Sequence, residues 1–92
     1  MLVFITGATS GIGKSTAEIF AKNGYDLVLT GRRQERLADL KTQLEKTHTV
    51  RVTTLCFDIR HYSETETAIS QFSKSGQRVD VLVNNAGLAA GL

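Results

Sequence analysis

Thr6-Gly7-Ala8-Thr9-Ser10-Gly11-Ile12-Gly13 follows one short apolar run, Leu2 to Ile5, and opens an amphipathic stretch that reads as a helix. A strand-to-helix junction built of glycine has two useful physical properties. Its glycines permit positive φ and let a ligand come close to the backbone, and the first free N–H groups of the helix point at that ligand with the positive end of the dipole. The expected guest is a phosphate. Two kinds of nucleotide site use this device, dinucleotide folds and P-loop nucleotidases, and the segment half-fits each.

Outward from the junction the chain alternates between two patterns. Leu2 to Thr6 is continuously apolar, as expected of a strand buried on both faces of a parallel sheet. Gly11 to Asn23 carries Ile12, Ala17, Phe20 and Ala21 close to helical spacing, with Asn23-Gly24 as a C-terminal stop. Asp26 to Thr30 is a second buried strand ended by Gly31, and Leu37, Leu40 and Leu44 then form a stripe on a helix whose other face is charged. Val50 to Phe57 reads as a third strand stopping at Asp58. Ser63 and Glu66 have the spacing of a capping box and open a third helix, with Ile69 and Phe72 inward and Ser75-Gly76 at its end. Asp80 to Val83 is a fourth short strand that runs into Asn84-Asn85-Ala86-Gly87.

The order βαβαβαβ predicts an α/β fold: a Rossmann-type parallel sheet with right-handed crossovers and helices on both faces, stopping after the fourth strand. Residues 1–92 then form a single, incomplete domain. In such sheets ligands bind beyond the carboxyl ends of the strands, where strand order switches. Thr6 to Gly13, Gly31 to Arg33, Asp58-Ile59 and Asn84 to Gly87 follow the four strands in turn, so one crevice is expected to collect them all.

Composition narrows the classes. Ninety-two residues, 41% hydrophobic and 22% charged, describe one soluble unit with a modest core. No apolar run approaches the roughly 20 residues that span a bilayer, and the first residues are strand-like with no basic flank. No membrane partner and a cytoplasmic location are expected. A net charge of +2, with basic residues interspersed among acidic ones, argues against nucleic acid. The single cysteine, Cys56, reads as a core thiol of the third strand and allows no disulfide framework. His48 and His61 fall in no metal-ligand spacing, so no metal is expected, and with Tyr25 and Tyr62 they read as surface or boundary residues.

The two phosphate chemistries make different demands. A P-loop wants glycine where Ala8 stands; a relaxed form fits, with Lys14 for the β- and γ-phosphates, Ser15 for magnesium and Asp58 as second magnesium ligand. That reading leaves Gly7, Ile12 and the features after the second and fourth strands without a role. The dinucleotide reading has the spacing Gly7-x-x-x-Gly11-x-Gly13, a longer turn than G-x-G-x-x-G. The end of the second strand weighs in its favour. An NAD site presents an acidic residue there, about 20 residues past the glycines, for the ribose 2′-OH. Here Gly31 is followed by Arg32 and Arg33. Two arginines opening a helix oppose its dipole by about 0.3 kcal/mol or more unless an anion sits between them. A 2′-phosphate is that anion, which makes NADP the expected cofactor. Arg32 is the candidate phosphate ligand, Arg33 stacks on adenine and Ser10 adds a hydrogen bond. Asp58 is placed to accept from the adenine amino group, with Ile59 packing on the ring. Asn85, or the Ala86-Gly87 backbone, approaches the ribose, and the asparagines also tie neighbouring strand ends. Gly7, Ala8, Thr9, Ser10, Gly11, Ile12 and Gly13 surround the pyrophosphate.

Together these segments resemble the short-chain dehydrogenase/reductase family over the whole chain. Thr6 to Gly13 is similar to its T-G-x-x-x-G-x-G motif, Asp58 to its adenine-site aspartate and Asn84-Asn85-Ala86-Gly87 to its N-N-A-G motif. Gly31-Arg32-Arg33 resembles the NADP-preferring version, and Gly31 to Leu37 with Asn84 to Ala89 is similar to the serine and 3-hydroxy acid dehydrogenases. The resemblance implies hydride transfer between NADP(H) and a small carbonyl or secondary alcohol, in a homo-oligomer, a tetramer. The family's chemistry rests on a serine and on a tyrosine and lysine in Y-x-x-x-K, all beyond the N-N-A-G segment. Here Tyr25 is followed four positions on by Leu29, and Tyr62 by Glu66. No catalytic residue is therefore expected in this chain. It is similar to the N-terminal part of a reductase, with the fourth strand left as an open edge. The rival readings are a non-enzymatic NADP-binding module and a P-loop nucleotidase using Lys14 and Ser15.

Overall fold

In the computed structural model, which describes residues 1–85, the continuous apolar runs become the inner strands of one sheet. The elements are β1 (Leu2–Thr6), α1 (Gly11–Lys22), β2 (Asp26–Gly31), α2 (Gln34–Thr47), β3 (Val52–Cys56), α3 (Tyr62–Ser73) and β4 (Val81–Asn84). Strand order is β3-β2-β1-β4, with every neighbouring pair parallel. Phe4 lies opposite Val28 on one side and Leu82 on the other. The order reverses between β1 and β4, which sets the switch point beside the glycine turn.

Helices cover both faces. Val3, Ile5, Leu27, Leu29 and Val52 share one buried cluster with Ala17 and Ala21 of α1 and Leu37, Leu40 and Leu44 of α2. Side chains alternate along a strand, so Phe4 faces the other way, where its ring meets Phe72 of α3 edge-on at 5.5 Å between centroids. Burial of both faces of β1 and β2 requires an apolar side chain at nearly every position, which is why these runs are continuous. Asp80 fixes the start of β4 on β1: the Leu2 N–H donates to its Oδ2 at 2.8 Å, and its own N–H donates to the Leu2 carbonyl at 2.9 Å.

Four expectations are corrected. Cys56 is exposed rather than a core thiol, because β3 is the outer strand of the described sheet and α2 covers its first residue, Val52, not its last. Ile12 is 69% exposed, since the first turn of α1 starts past the end of β1, where there is no sheet to pack on; Ala17 and Ala21 further along are buried. On α3 Ile69 is exposed and no residue is fully buried; Phe72 is half-buried and packs its ring on Phe4 of the sheet. The capping box does not form. α3 begins at Tyr62 with His61 as N-cap and no side-chain cap bond. The turn before it, closed by His61 N–H donating to the Asp58 carbonyl at 2.9 Å, starts the helix early and puts Ser63 inside the first turn. Glu64 instead pairs with His61 Nδ1. The outer strands also differ slightly from Val50–Phe57 and Asp80–Val83: β3 is trimmed at both ends and β4 is shifted by one residue.

Candidate functional site

β1 ends at Thr6, and Gly7 turns the chain at φ 62°, a left-handed conformation that glycine adopts without steric cost. The turn is then fastened from three sides. Ala8 is buried, and its N–H donates to the Thr30 carbonyl at 2.9 Å, tying the turn to β2. Ser10 caps α1: its Oγ accepts from the Gly13 N–H at 3.2 Å and donates to the Gly7 carbonyl at 2.9 Å. From the end of β4, Asn85 is 4% exposed and its Nδ2 donates to the Gly7 carbonyl at 2.9 Å and to Ser10 Oγ at 2.7 Å. The structural half of the expectation for Asn85 is therefore observed directly. Ala86 and Gly87 lie outside the described residues.

The glycines divide the work. A Cβ on Gly13 would lie 2.2 Å from the Gly7 carbonyl oxygen and 2.9 Å from Asn85 Nδ2, so this position serves the close fit of helix on turn. A Cβ on Gly11 would meet nothing within 4 Å. The front of the first helical turn is thus open, and the earliest N–H groups of α1, which have no intrahelical partner, stand behind it. That is a cradle with room for an anion.

A cleft of about 380 Å³ extends from this cradle across the carboxyl ends of β1, β2 and β3. Gly7, Thr9 and Ser10 form one wall, and Ile59 with Phe57 forms the apolar side. Arg32, Arg33, Arg36 and Arg60 line the remainder, with Asp58 as the one carboxylate among the lining residues. The sequence-predicted Gly7, Thr9, Ser10, Arg32, Arg33, Asp58 and Ile59 are therefore brought together. Arg33 is the N-cap position of α2 and exposed, and no ion pair joins Arg32 or Arg33 to Glu35 or Asp39 among the described residues. Arg32 stands with its Nη1 4.0 Å from Asp58 Oδ2.

Asp58 is held by a residue that sequence reasoning passed over. Arg60 donates from Nε to Oδ1 at 3.0 Å, from Nη2 to Oδ2 at 2.8 Å and from its backbone N–H to Oδ1 at 3.0 Å. The guanidinium bonds first, and then the backbone N–H, hold the Asp58 carboxyl well below the usual carboxylate range, against the opposing effect of burial. An aspartate that bonds the N–H two residues on is a common turn device, so Asp58-x-Arg60 carried a readable signal. Arg36 had one as well, since it lies three residues after Arg33 on the same helix face. A carboxylate offers about four acceptor directions, and Arg60 reaches both oxygens along them, its Nε also lying 3.3 Å from Oδ2.

Lys14 and Ser15 do not converge on one another. Lys14 lines a depression that adjoins the cleft at Thr9 and Arg36 and runs along Asp39 and Gln43 of α2, whereas Ser15 lies in another with Glu18 and Leu44, so the two do not meet at one site. P-loop chemistry needs both at one phosphate, and its third element, Asp58, is engaged by Arg60. Among the described residues no group of three or more His, Cys, Asp and Glu could hold a metal ion, and no helix is long and apolar enough to cross a membrane.

Comparison with known proteins agrees with this geometry. The family model for short chain dehydrogenase matches residues 1–91. Sulfoacetaldehyde reductase 2 of Chromohalobacter salexigens is 47% identical over 88 residues, covering 96% of this chain and 34% of the relative. The NADP-dependent 3-hydroxy acid dehydrogenase YdfG of Salmonella typhi is 42% identical over 92 residues, covering 100% of this chain and 36% of the relative. Among solved structures, L-sorbose reductase from Gluconobacter frateurii, complexed with NADPH and L-sorbose, superposes with a TM-score of 0.80 at 32% identity, over 88% of this chain and 31% of that one. The chain thus spans about a third of the length of the relatives it matches. With its glycine turn, its strand order and this match along nearly its whole length, the chain belongs to the short-chain dehydrogenase family.

Proposed function

We propose that this chain is the N-terminal, cofactor-binding part of an NADP-dependent oxidoreductase that moves hydride between NADP(H) and a carbonyl or secondary alcohol. The observation that carries the reading is a single cleft in which an open glycine cradle meets the arginines that end β2. The names of the relatives, an NADP-dependent dehydrogenase and an aldehyde reductase among them, support it. The chain spans about a third of its relatives' length, and the reading assigns it the cofactor side of the reaction, with the serine, tyrosine and lysine of the family's chemistry outside it. A homo-oligomeric, cytoplasmic parent is the matching expectation.

The residues present fit the cofactor. Gly7 to Gly13 hold the pyrophosphate, whose charge meets the open start of α1. Arg32 takes the 2′-phosphate, which a planar guanidinium binds through paired N–H donors, and Arg33 stacks on the adenine. Asp58 accepts from the adenine amino group, Ile59 packs on the ring, and Asn85 borders the ribose. Arg36, unforeseen from sequence, adds a third positive charge near the 2′-phosphate. The nicotinamide, when bound, supplies or accepts the hydride; the residues of this chain bind and orient it.

Calorimetric titration of the chain with NADPH and NADH tests this. NADPH is expected to bind at least about tenfold more tightly, the equivalent of roughly 1.4 kcal/mol. Equal affinities, or no binding by a sample shown to be folded, would reject the assignment.

A further inference from the structure

We propose that Arg60 is a positioning residue for cofactor selectivity: by engaging both oxygens of Asp58, it keeps Arg32 from closing onto that carboxylate and leaves its donors for the 2′-phosphate. This rests on the NADP reading above and adds to it a cleft-lining residue that acts through Asp58.

The geometry is a competition for one oxygen. Asp58 Oδ2 lies 2.8 Å from Arg60 Nη2 and 4.0 Å from Arg32 Nη1. The Asp58 side chain is only 15% exposed, so water cannot satisfy it well, whereas the two arginine side chains are 53% and 66% exposed and can move. A charge-assisted N–H···O bond is shortest near 2.8 Å, so Arg32 stands about 1 Å short of one. What holds it off is that the Arg60 fork and backbone N–H already take most of the carboxylate's acceptor directions. Without Arg60 the nearest cation to an under-satisfied carboxylate is Arg32. It would close from the loose 4.0 Å ion pair to direct hydrogen bonds on Asp58, and its donors would be engaged by protein rather than ligand. The residue that reads as a simple surface ion-pair partner thereby determines which nucleotide the cleft favours.

The test is a double-substitution cycle on the full chain, read as the ratio of NADH to NADPH dissociation constants. Arg60→Met keeps the aliphatic stem and removes the fork; it is expected to lower that ratio about fivefold or more, within the range measured for coupled neighbours. Asp58→Asn/Arg60→Met removes the carboxylate that captures Arg32 and is expected to restore the ratio to about that of Asp58→Asn alone, whatever Asp58 contributes to adenine binding in both nucleotides. Circular dichroism establishes that each variant is folded; Arg60 is exposed, and Arg60→Lys, which keeps the charge without the fork, gives an intermediate ratio if the inference holds. An unchanged ratio in Arg60→Met, an equal loss for both nucleotides, or a fall that the double variant does not reverse would each overturn it. The last result would make Arg60 a direct phosphate ligand. If the unsubstituted chain prefers NADPH and only the cycle fails, the NADP reading stands and this inference falls; if it shows no preference, both fall.

Discussion

Gly11 and Gly13 look alike in the motif and are required for different reasons. Gly13→Ala forces a methyl to within 2.2 Å of the Gly7 carbonyl oxygen and against the Asn85 amide, so backbone must shift. Overpacking of this kind costs about 1–3 kcal/mol, and urea unfolding should show it. Gly11→Ala adds a methyl to open space at the start of a helix. Its unfolding midpoint should stay the same or rise slightly, while nucleotide affinity falls because the methyl occupies the ligand's side of the turn. A Gly11→Ala variant that is destabilised, with unaltered nucleotide affinity, would contradict this division. Asp58 allows a second test. Its folded-state pKa is depressed, so its stabilising contribution is complete above the ordinary carboxyl value of about 4 and is lost as pH falls below it, where the unfolded chain binds the proton more readily. The stability gap between wild type and Asp58→Asn should therefore be level from neutral pH to about pH 4 and narrow on further acidification. A gap that closes between pH 7 and 5 would argue against the Arg60 bonds as its source. At this scale the glycine turn, Arg32, Arg33 and Asp58 were legible, since each is a residue type at a fixed distance from a strand end. The partner of Asp58 was not singled out, because an arginine two residues on reads equally well as a solvated side chain.

Among the elements, α2 does more than cover the sheet. Lys41 Nζ donates to the Val52 carbonyl at 2.8 Å, and the Val52 N–H donates to Glu45 Oε2 at 2.9 Å, so two side chains one helical turn apart satisfy both backbone groups where edge strand β3 begins. Unpaired edge groups are templates for adding another strand, and this clamp occupies the first of them. Replacing Lys41 and Glu45 together with alanine should cost about 1 kcal/mol for each lost bond and raise self-association at high concentration. Denaturant titration and light scattering would measure the two effects, and a double variant as stable and as monodisperse as wild type would rule the clamp out. The misread elements share a cause. Cys56 and Ile69 lie in runs with the composition of buried structure, of which Val52, Phe57 and Phe72 do pack inward, but β3 is an outer strand of the described sheet and no residue of α3 is fully buried. Apolar pattern reports what an element can bury and does not report how much of the neighbouring surface is present to bury it.

For the whole molecule, the sequence by itself determined the sheet class, the sequence of elements, the turn that opens α1 and the positive end of β2. Each of these follows from local chemistry: apolar periodicity, glycine's access to positive φ, and the charges that follow a strand. The family resemblance came from the same short motifs, and it anticipated the match along residues 1–91. The tertiary structure alone decided three things. It decided the strand order β3-β2-β1-β4, which sets β3 on the outside of the described sheet and exposes Cys56, whereas the open edge at β4 was already expected. It brought Asn85 onto Gly7 and Ser10, across 78 and 75 positions of chain, so that the fourth strand end locks the first turn. It also set Arg60 and Arg32 at unequal distances from one carboxylate, 2.8 and 4.0 Å. Such distances follow from how separate elements pack in space, which depends on contacts between residues far apart in the chain and has no signature in any single window of sequence.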